Sequence, residues 1–280
     1  MISIIIITYN SKDFLQEFFK SLKLAINNDF ELVIWDNNSD DESHKYINYY
    51  LKYYDYKKFH VIRSEINLGF AKAINESLKY CSYEHILLVN PDVIFLKDSL
   101  RSIVKFYLEV KPAIVGGKYL SYKRDGVPQK AAVNSVSFIS AILELTNLKK
   151  IVPFQERLNK FWVKEKADSI EVVSVSGGFL IASREIIISL NGFNESYWLY
   201  LEDVDFCLRA QQIGYKTYYY PKARIKHYSG GSHKHLSRRH DEARWFQSRD
   251  IFFRMHFNLI LNCVYLLISK VEKLILKLRK

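Results

Sequence analysis

Four consecutive isoleucines, Ile4 to Ile7, stand almost at the start of this chain. Consecutive β-branched residues favour a strand, and a strand apolar at every position must be covered on both faces. The chain is therefore expected to build a sheet with helices on either side. The next segments supply them. Asn10-Ser11-Lys12-Asp13 offers a helix start, followed at helical spacing by Phe14, Leu15, Phe18, Leu22 and Ile26. Leu32 to Trp35 reads as a second strand, ending in the polar cluster Asp36-Asn37-Asn38-Ser39-Asp40-Asp41, and a helix through Tyr46 and Leu51 follows. His60 to Ile62 is a third strand, Ala71 to Tyr80 a third helix, and Ile86 to Val89 a fourth strand running into Asn90-Pro91-Asp92.

Strands alternating with helices imply βαβ units and a mainly parallel sheet with right-handed crossovers. Ligands of such sheets bind beyond the carboxyl ends of the strands. Thr8, Tyr9 and Asn10, then Asp36 to Asp41, then Asp92 fall there. One such cluster is an ordinary loop; three at three strand ends mark a site. Beyond Gly116-Gly117 the pattern weakens. Ser121 to Ser169 is mixed, and no catalytic group is placed in it. Glu171 to Ala182 reads as two strand segments broken at Gly177-Gly178, and Tyr218 to Pro221 and Ala223 to His227 as two short strands.

Several classes are excluded. No Gly-x-Gly-x-x-Gly follows the first strand and no Walker loop occurs, so neither a dinucleotide site nor a P-loop is expected. Cys81, Cys207 and Cys263 are too few and too scattered for a disulfide framework or a thiolate zinc site, as in a reducing compartment. The N-terminus lacks the basic region of a signal peptide. No segment reaches the ~20 apolar residues that span a bilayer; Phe257 to Ser269 comes nearest and is interrupted by Asn258 and Asn262. A cytoplasmic protein is expected. The net charge of +11 is local: from Cys207 to Lys280, 16 Lys and Arg stand against 4 Asp and Glu, with five of the eight histidines. Such a segment is aimed at something anionic.

Ile5-Ile6-Ile7-Thr8-Tyr9-Asn10, Asp36 to Asp41, Asn67-Leu68-Gly69-Phe70 and Leu88-Val89-Asn90-Pro91-Asp92 resemble the donor half of family 2 glycosyltransferases. Val175 to Phe179, Gly192-Phe193-Asn194-Glu195, Tyr200 to Asp205, and His227 followed by Gly230-Gly231-Ser232 are similar to the acceptor half. Their order fits the bacterial rhamnosyltransferase-like branch over roughly residues 2 to 255. The resemblance implies a GT-A fold: an α/β, Rossmann-like mixed sheet, mainly parallel and flanked by helices, here with a basic C-terminal helical extension. It divides the chain into a catalytic domain, 1–230, and a basic lid with amphipathic helices, 231–280. Within the former, about 1–115 would hold the nucleotide sugar and about 116–230 the acceptor.

The resemblance further implies a nucleotide-diphosphate sugar donor, inversion at the anomeric carbon, and a divalent metal, Mn²⁺ or Mg²⁺. Hard cations of this kind bind carboxylate and phosphate oxygens. Asp92 is the expected carboxylate ligand and His227 matches the family's later metal-binding histidine, an imidazole favouring Mn²⁺. Asn90 stands where many relatives have the first aspartate of a D-x-D motif. Asp203 matches the base that takes the acceptor's proton, with Glu202 orienting acceptor or base and Asp205 nearer structural work. Acids in a first helical turn also cap free N–H groups, so Glu202, Asp203 and Asp205 have a purely structural alternative. The donor is expected over Thr8, Tyr9, Asn10, Asp36, Asn38, Asn67, Gly69, Asn90 and Asp92. Asp36 is suited to the imide N–H of uracil or thymine. Gly177 and Gly178 allow close approach of the backbone, although a β-bulge explains two glycines equally well.

Ser229 to Arg254, with Gly230, Gly231 and Arg249, reads as a closing lid, most of its charges forming a solvated face. The last stretch sets Leu259, Ile260, Val264, Leu267, Val271 and Leu274 beside Lys270, Lys273 and Lys277. This apolar face flanked by cations suits the inner surface of an anionic membrane, docking on the domain itself, or a homodimer. The expected function is metal-dependent transfer of rhamnose from dTDP-rhamnose to a surface-glycan or lipid-linked oligosaccharide acceptor. A UDP-hexose or UDP-N-acetylhexosamine donor is the rival within the fold. A non-catalytic glycan- or RNA-binding module is the rival of another class; no nucleic-acid partner is expected.

Overall fold

The computed structural model describes residues 1–25, 30–150, 152, 155–164, 166–228 and 238–278. In chain order the first elements are β1 (Ile2–Thr8), α1 (Lys12–Ala25), β2 (Phe30–Asp36), α2 (Ser43–Tyr53), β3 (Phe59–Arg63), α3 (Phe70–Ser77), β4 (His85–Val89), β5 (Val93–Phe95) and α4 (Ser99–Val110). There follow β6 (Ala113–Ser121), β7 (Ala132–Val133), α5 (Phe138–Leu145), α6 (Gln155–Leu158), β8 (Ile170–Glu171), β9 (Ser174–Val175), β10 (Phe179–Ser183) and α7 (Arg184–Ser189). The chain closes with α8 (Glu202–Gln212), β11 (Lys216–His227), α9 (Arg238–His256) and α10 (Leu259–Leu278).

One nine-stranded sheet runs β3-β2-β1-β4-β10-β6-β11-β5, with β8 paired to β11. The first four strands are parallel, Ile5 lying opposite Val33 on one side and Leu88 on the other. All seven residues of β1 are buried, as its apolar run requires. The chain moves from β1 outward to β2 and β3, then crosses back to β4 on the other side of β1. The crevice at this reversal lies between the carboxyl ends of β1 and β4, where open α/β sheets bind ligands. Beyond β4 the sheet is mixed: β10 runs antiparallel to both β4 and β6, and β5 antiparallel to β11.

Two details differ from the sequence reading. Tyr218 to Pro221 and Ala223 to His227 are one strand, β11, whose pairing with β6 shifts register between Tyr220 and Arg224. The irregularity accommodates Pro221, which cannot donate to a ladder, without ending the strand. Helix α9 is not solvated on every face: Arg249, Phe252 and Phe253 are fully buried. With Phe161, Tyr197, Leu201 and Tyr265, Phe252 and Phe253 form a second core that joins the α5 to α8 region to α9 and α10. Each buried phenylalanine contributes about 1.5–3 kcal/mol through area removed from water. The glycine-containing lid segment expected at Ser229 to Ser237 lies outside the described residues.

Helix α10 turns Tyr265, Ser269 and Glu272 inward, and leaves Ile260, Val264, Leu267, Val271 and Leu274 exposed. The buried guanidinium of Arg249 ties the two helices together. It meets Glu272 Oε2 at 2.7 Å, Tyr265 Oη at 3.0 Å, Ser269 Oγ at 3.2 Å and the carbonyl of Leu145 at 3.1 Å.

Candidate active site

A cavity of about 320 Å³ opens over the crevice between β1 and β4. Of the expected donor residues, Tyr9, Asn67, Gly69, Asn90, Asp92, Gly177 and Gly178 line it, as do Glu202, Asp203 and His227. Thr8, Asn10, Asp36 and Asn38 do not. Thr8 is fully buried and donates to Asp36 Oδ1 at 3.3 Å. Asn10, in a left-handed conformation, accepts the amide N–H of Asp40. Asp36 is also fully buried, its Oδ1 accepting from Ser39 Oγ and its Oδ2 left without a hydrogen bond 3.7 Å from Arg63 Nε.

Asn38 is exposed, and Asn37 takes the inward place. The Asn37 side chain donates to Asn67 Oδ1 at 2.8 Å and to the Gly69 carbonyl at 3.2 Å, and accepts the Leu68 amide at 2.8 Å. It thereby staples the loop after β2 to the loop before α3. Gly69 is required there: its φ is +82°, and a Cβ would come within 2.5 Å of the Trp198 carbonyl.

Asp92 follows β4 and is 2% exposed, and its Oδ1 has no hydrogen-bond partner. His227, the last residue of β11, presents Nε2 to that oxygen at 3.4 Å. An orphaned carboxylate oxygen beside an imidazole nitrogen fits a hard or borderline divalent cation. No group of three or more His, Cys, Asp or Glu side chains able to hold a metal exists among the described residues. A cation at this pair would take two protein ligands and complete its shell from phosphate and water, as Mg²⁺-type sites do.

The acidic segment sits at the start of α8. Tyr200 and Leu201, with φ of 73° and 66°, form two successive left-handed residues ahead of it. Neither is a glycine, so the surroundings must hold this turn at a cost of order 1–3 kcal/mol per residue. Helix α9 supplies part of that hold. Ser248 Oγ donates to the Leu199 carbonyl at 2.6 Å, Tyr200 Oη donates to Asp241 at 2.6 Å, and Arg244 covers the Trp198 ring at 4.4 Å. These three α9 residues recur at i, i+3 and i+7, one helix face.

Asp203 Oδ2 accepts the Gly177 amide at 3.0 Å and Oδ1 the Val204 amide at 2.8 Å. It therefore caps the helix and faces the cavity at once. Burial raises its carboxyl above the usual aspartate range, opposed by these N–H donors. Glu202 is buried with Oε2 unpartnered, and burial, then the Asp203 charge, pushes its carboxyl well above the ordinary glutamate value. Asp205 turns away from the cavity, held between Arg209 Nε at 2.7 Å and His256 Nε2 at 2.9 Å. The Gly177-Gly178 turn joins the two chemical groups: Gly177 binds Asp203, and a Cβ on Gly178 would strike the Asn90 amide at 2.6 Å.

Sequence reasoning missed an aromatic side of the cavity formed by Phe161, Trp162, Trp198, Tyr200 and Trp245. Three of the chain's four tryptophans lie here, which was countable but not placeable. Gln129, bonded to His227, carried no signal at all.

A family model described as Glycosyl transferase family 2 matches residues 3–174, well over half of the chain. The chain belongs to glycosyl transferase family 2. A second model, described as N-terminal domain of galactosyltransferase, matches residues 166–234. Rhamnosyltransferase WbbL of Escherichia coli (strain K12) is 27% identical over 232 residues, 82% of this chain and 84% of that protein. The N-acetylglucosaminyl-diphospho-decaprenol L-rhamnosyltransferase of Mycobacterium tuberculosis (strain ATCC 25618 / H37Rv) is 23% identical over 248 residues, 83% and 77% of the two chains. This family 2 enzyme is thus a glycosyltransferase of the rhamnosyltransferase-like branch, which sets aside a non-catalytic module. Its fold is GT-A: the crystal structure of GalNAc-T7 with UDP, GalNAc and Mn²⁺ superposes with a TM-score of 0.62 at 16% identity, covering 81% of this chain and 43% of that one.

Proposed function

We propose that this family 2 glycosyltransferase is metal-dependent and inverting, and moves rhamnose from dTDP-rhamnose to a hydroxyl of a bacterial surface-glycan acceptor. One observation carries the reading: a single cavity holds both a raised carboxyl, Asp203, and the Asp92–His227 pair. Asp203 would accept the acceptor's hydroxyl proton as that oxygen bonds to the anomeric carbon. On the far side the carbon–oxygen bond to the diphosphate breaks, and the nucleoside diphosphate leaves with the electron pair, so configuration inverts. Base assistance of this kind supplies about 10²–10⁴-fold. Asp92 and His227 would hold a divalent cation, which when bound neutralises charge on the leaving diphosphate. Glu202, whose carboxyl burial and the Asp203 charge push upward, would in its protonated form donate its O–H to the acceptor or sugar.

Two relatives with rhamnosyltransferase in their names support the sugar. A UDP-hexose or UDP-N-acetylhexosamine is the alternative donor, favoured by the UDP and GalNAc of the GalNAc-T7 structure. The tryptophan side next to Asp203 is the proposed acceptor platform, since sugar rings stack on aromatic faces. On this reading residues 1–115 hold the donor, 116–230 the acceptor, and 231–280 a basic lid and membrane-facing helices. The exposed apolar residues of α10 would rest on the anionic inner face of the cell membrane, near a lipid-linked acceptor; no helix among the described residues is long and apolar enough to cross a membrane.

Calorimetric titration with dTDP, UDP, GDP and CDP, each with and without Mn²⁺, tests the donor assignment. Metal-dependent binding of dTDP above UDP is expected. Preference for GDP or CDP, or binding indifferent to metal, would refute it.

A further inference from the structure

Gln129 lies outside every motif of the chain, yet its side chain makes two bonds to one residue. Its backbone is pinned first, the Gln129 amide donating to the Tyr119 carbonyl at 2.9 Å. The side-chain Nε2 then donates to the backbone carbonyl of His227 at 3.1 Å, and Oε1 lies 2.9 Å from His227 Nδ1. A carbonyl can only accept, so the amide nitrogen must face it and the amide oxygen must face the ring. Oε1 cannot donate, so Nδ1 carries the proton. In a neutral imidazole that leaves the lone pair on Nε2, the atom turned toward the unpartnered Asp92 Oδ1.

We infer that Gln129 is a positioning residue that fixes the His227 tautomer, keeping Nε2 free to bind a divalent cation beside Asp92. Without Gln129 nothing described holds the proton on Nδ1, and a free imidazole prefers it on Nε2. There it would bond to Asp92 and close the site. The Tyr119 ring, edge-on to the imidazole at 5.3 Å, limits its rotation, while its hydroxyl is turned to the Ser176 carbonyl. The role toward a cation rests on the metal-site reading above; the tautomer does not.

The test uses full-length, metal-free protein labelled with ¹⁵N-histidine, with His227 assigned through a His227→Asn variant. Two-bond ¹H–¹⁵N correlations at a pH where the ring is neutral read the tautomer directly. Wild type should show the proton on Nδ1, Gln129→Met should move it to Nε2, and Gln129→Glu, which keeps an acceptor on Nδ1, should retain it. Mn²⁺ titration in the presence of dTDP or UDP should show about 10–100-fold weaker binding for Gln129→Met, the usual consequence of losing a ligand's outer partner, and near-wild-type binding for Gln129→Glu. A wild-type proton on Nε2, or an unchanged tautomer in Gln129→Met, overturns the inference. Should Gln129→Met fail to fold, the wild-type tautomer and the Gln129→Glu variant still decide. If the tautomer moves while Mn²⁺ binding is the same in wild type, Gln129→Met and His227→Asn, the metal-site reading fails and the proposed role falls with it.

Discussion

Replacing Asp203 with asparagine would remove the proposed base while nearly preserving shape, and the structure says what else it disturbs. Asp203 accepts two backbone N–H groups, one from Gly177 and one from Val204. Asparagine has one oxygen, so its amide must confront one of these donors, losing a bond at a cost of about 1–3 kcal/mol. Removing a charge whose burial already raises its carboxyl returns part of that cost. The variant should therefore fold with modestly altered stability. Transfer should fall about 10²–10⁴-fold, or about 3–5 kcal/mol of activation free energy. Nucleotide binding with Mn²⁺ should stay within a few-fold, because no donor ligand is removed. The pH profile adds a second reading. A base works only when deprotonated, so wild-type kcat/KM should fall as pH drops through the raised Asp203 value, above the usual 3.8 of aspartate; residual activity of Asp203→Asn should be flat across that range. Initial rates with a radiolabelled sugar donor measure both. Transfer within tenfold of wild type, or loss of nucleotide binding as large as the loss of transfer, would refute the assignment.

Glu202→Gln should raise the melting temperature while lowering transfer. Burial and the Asp203 charge disfavour ionised Glu202 in the folded protein, so the gain is absent below the ordinary value of 4.5, grows as pH rises above it and levels off once the folded group ionises; a constant gain across pH 4 to 8 would contradict this. Arg249→Met should cost about 3–5 kcal/mol in urea unfolding by stranding Glu272 in the second core, and Arg249→Met/Glu272→Leu should recover much of it. Leu267→Ser/Leu274→Ser, which spares Glu272, should weaken sedimentation with anionic vesicles about tenfold or more, since two exposed leucines lose their apolar contact. Unchanged binding would return that face to another partner.

The donor half was legible because its signals are local. Ile4 to Ile7 demanded a doubly covered strand, and the polar clusters fell at strand ends that parallel topology brings together. The acceptor half was less so. Strands β7, β8 and β9 have two residues each, too short for a periodic pattern. The apolar run of β10 was visible, but nothing in it foretold its insertion, antiparallel, between β4 and β6. Arg249 looked like one cation in a basic run, because burial beside Glu272, a helix away, leaves no trace in composition. At the site, Asp92, Asp203 and His227 were readable as a family pattern, whereas Asn37 and Gln129 act through long-range hydrogen bonds that no spacing encodes.

The placement of those long-range bonds gives the sheet order its chemical meaning. Asp92 lies between β4 and β5, and the antiparallel pairing of β5 with β11 sets His227 opposite Val93, beside it; the Gly177-Gly178 turn leading into β10 binds Asp203. A side chain at Gly178 would push on Asn90, and one at Gly69 on the Trp198 backbone. The segments carrying Asn90 and Trp198 are thus held close to the cavity wall by tight approach at two glycines. Helix α9 completes this arrangement from outside the sheet, since Ser248 and Asp241 hold the left-handed turn that aims Glu202 and Asp203 into the cavity. Helix α9 is consequently part of the geometry that sets Glu202 and Asp203 at the cavity, whatever surface the exposed face of α10 meets.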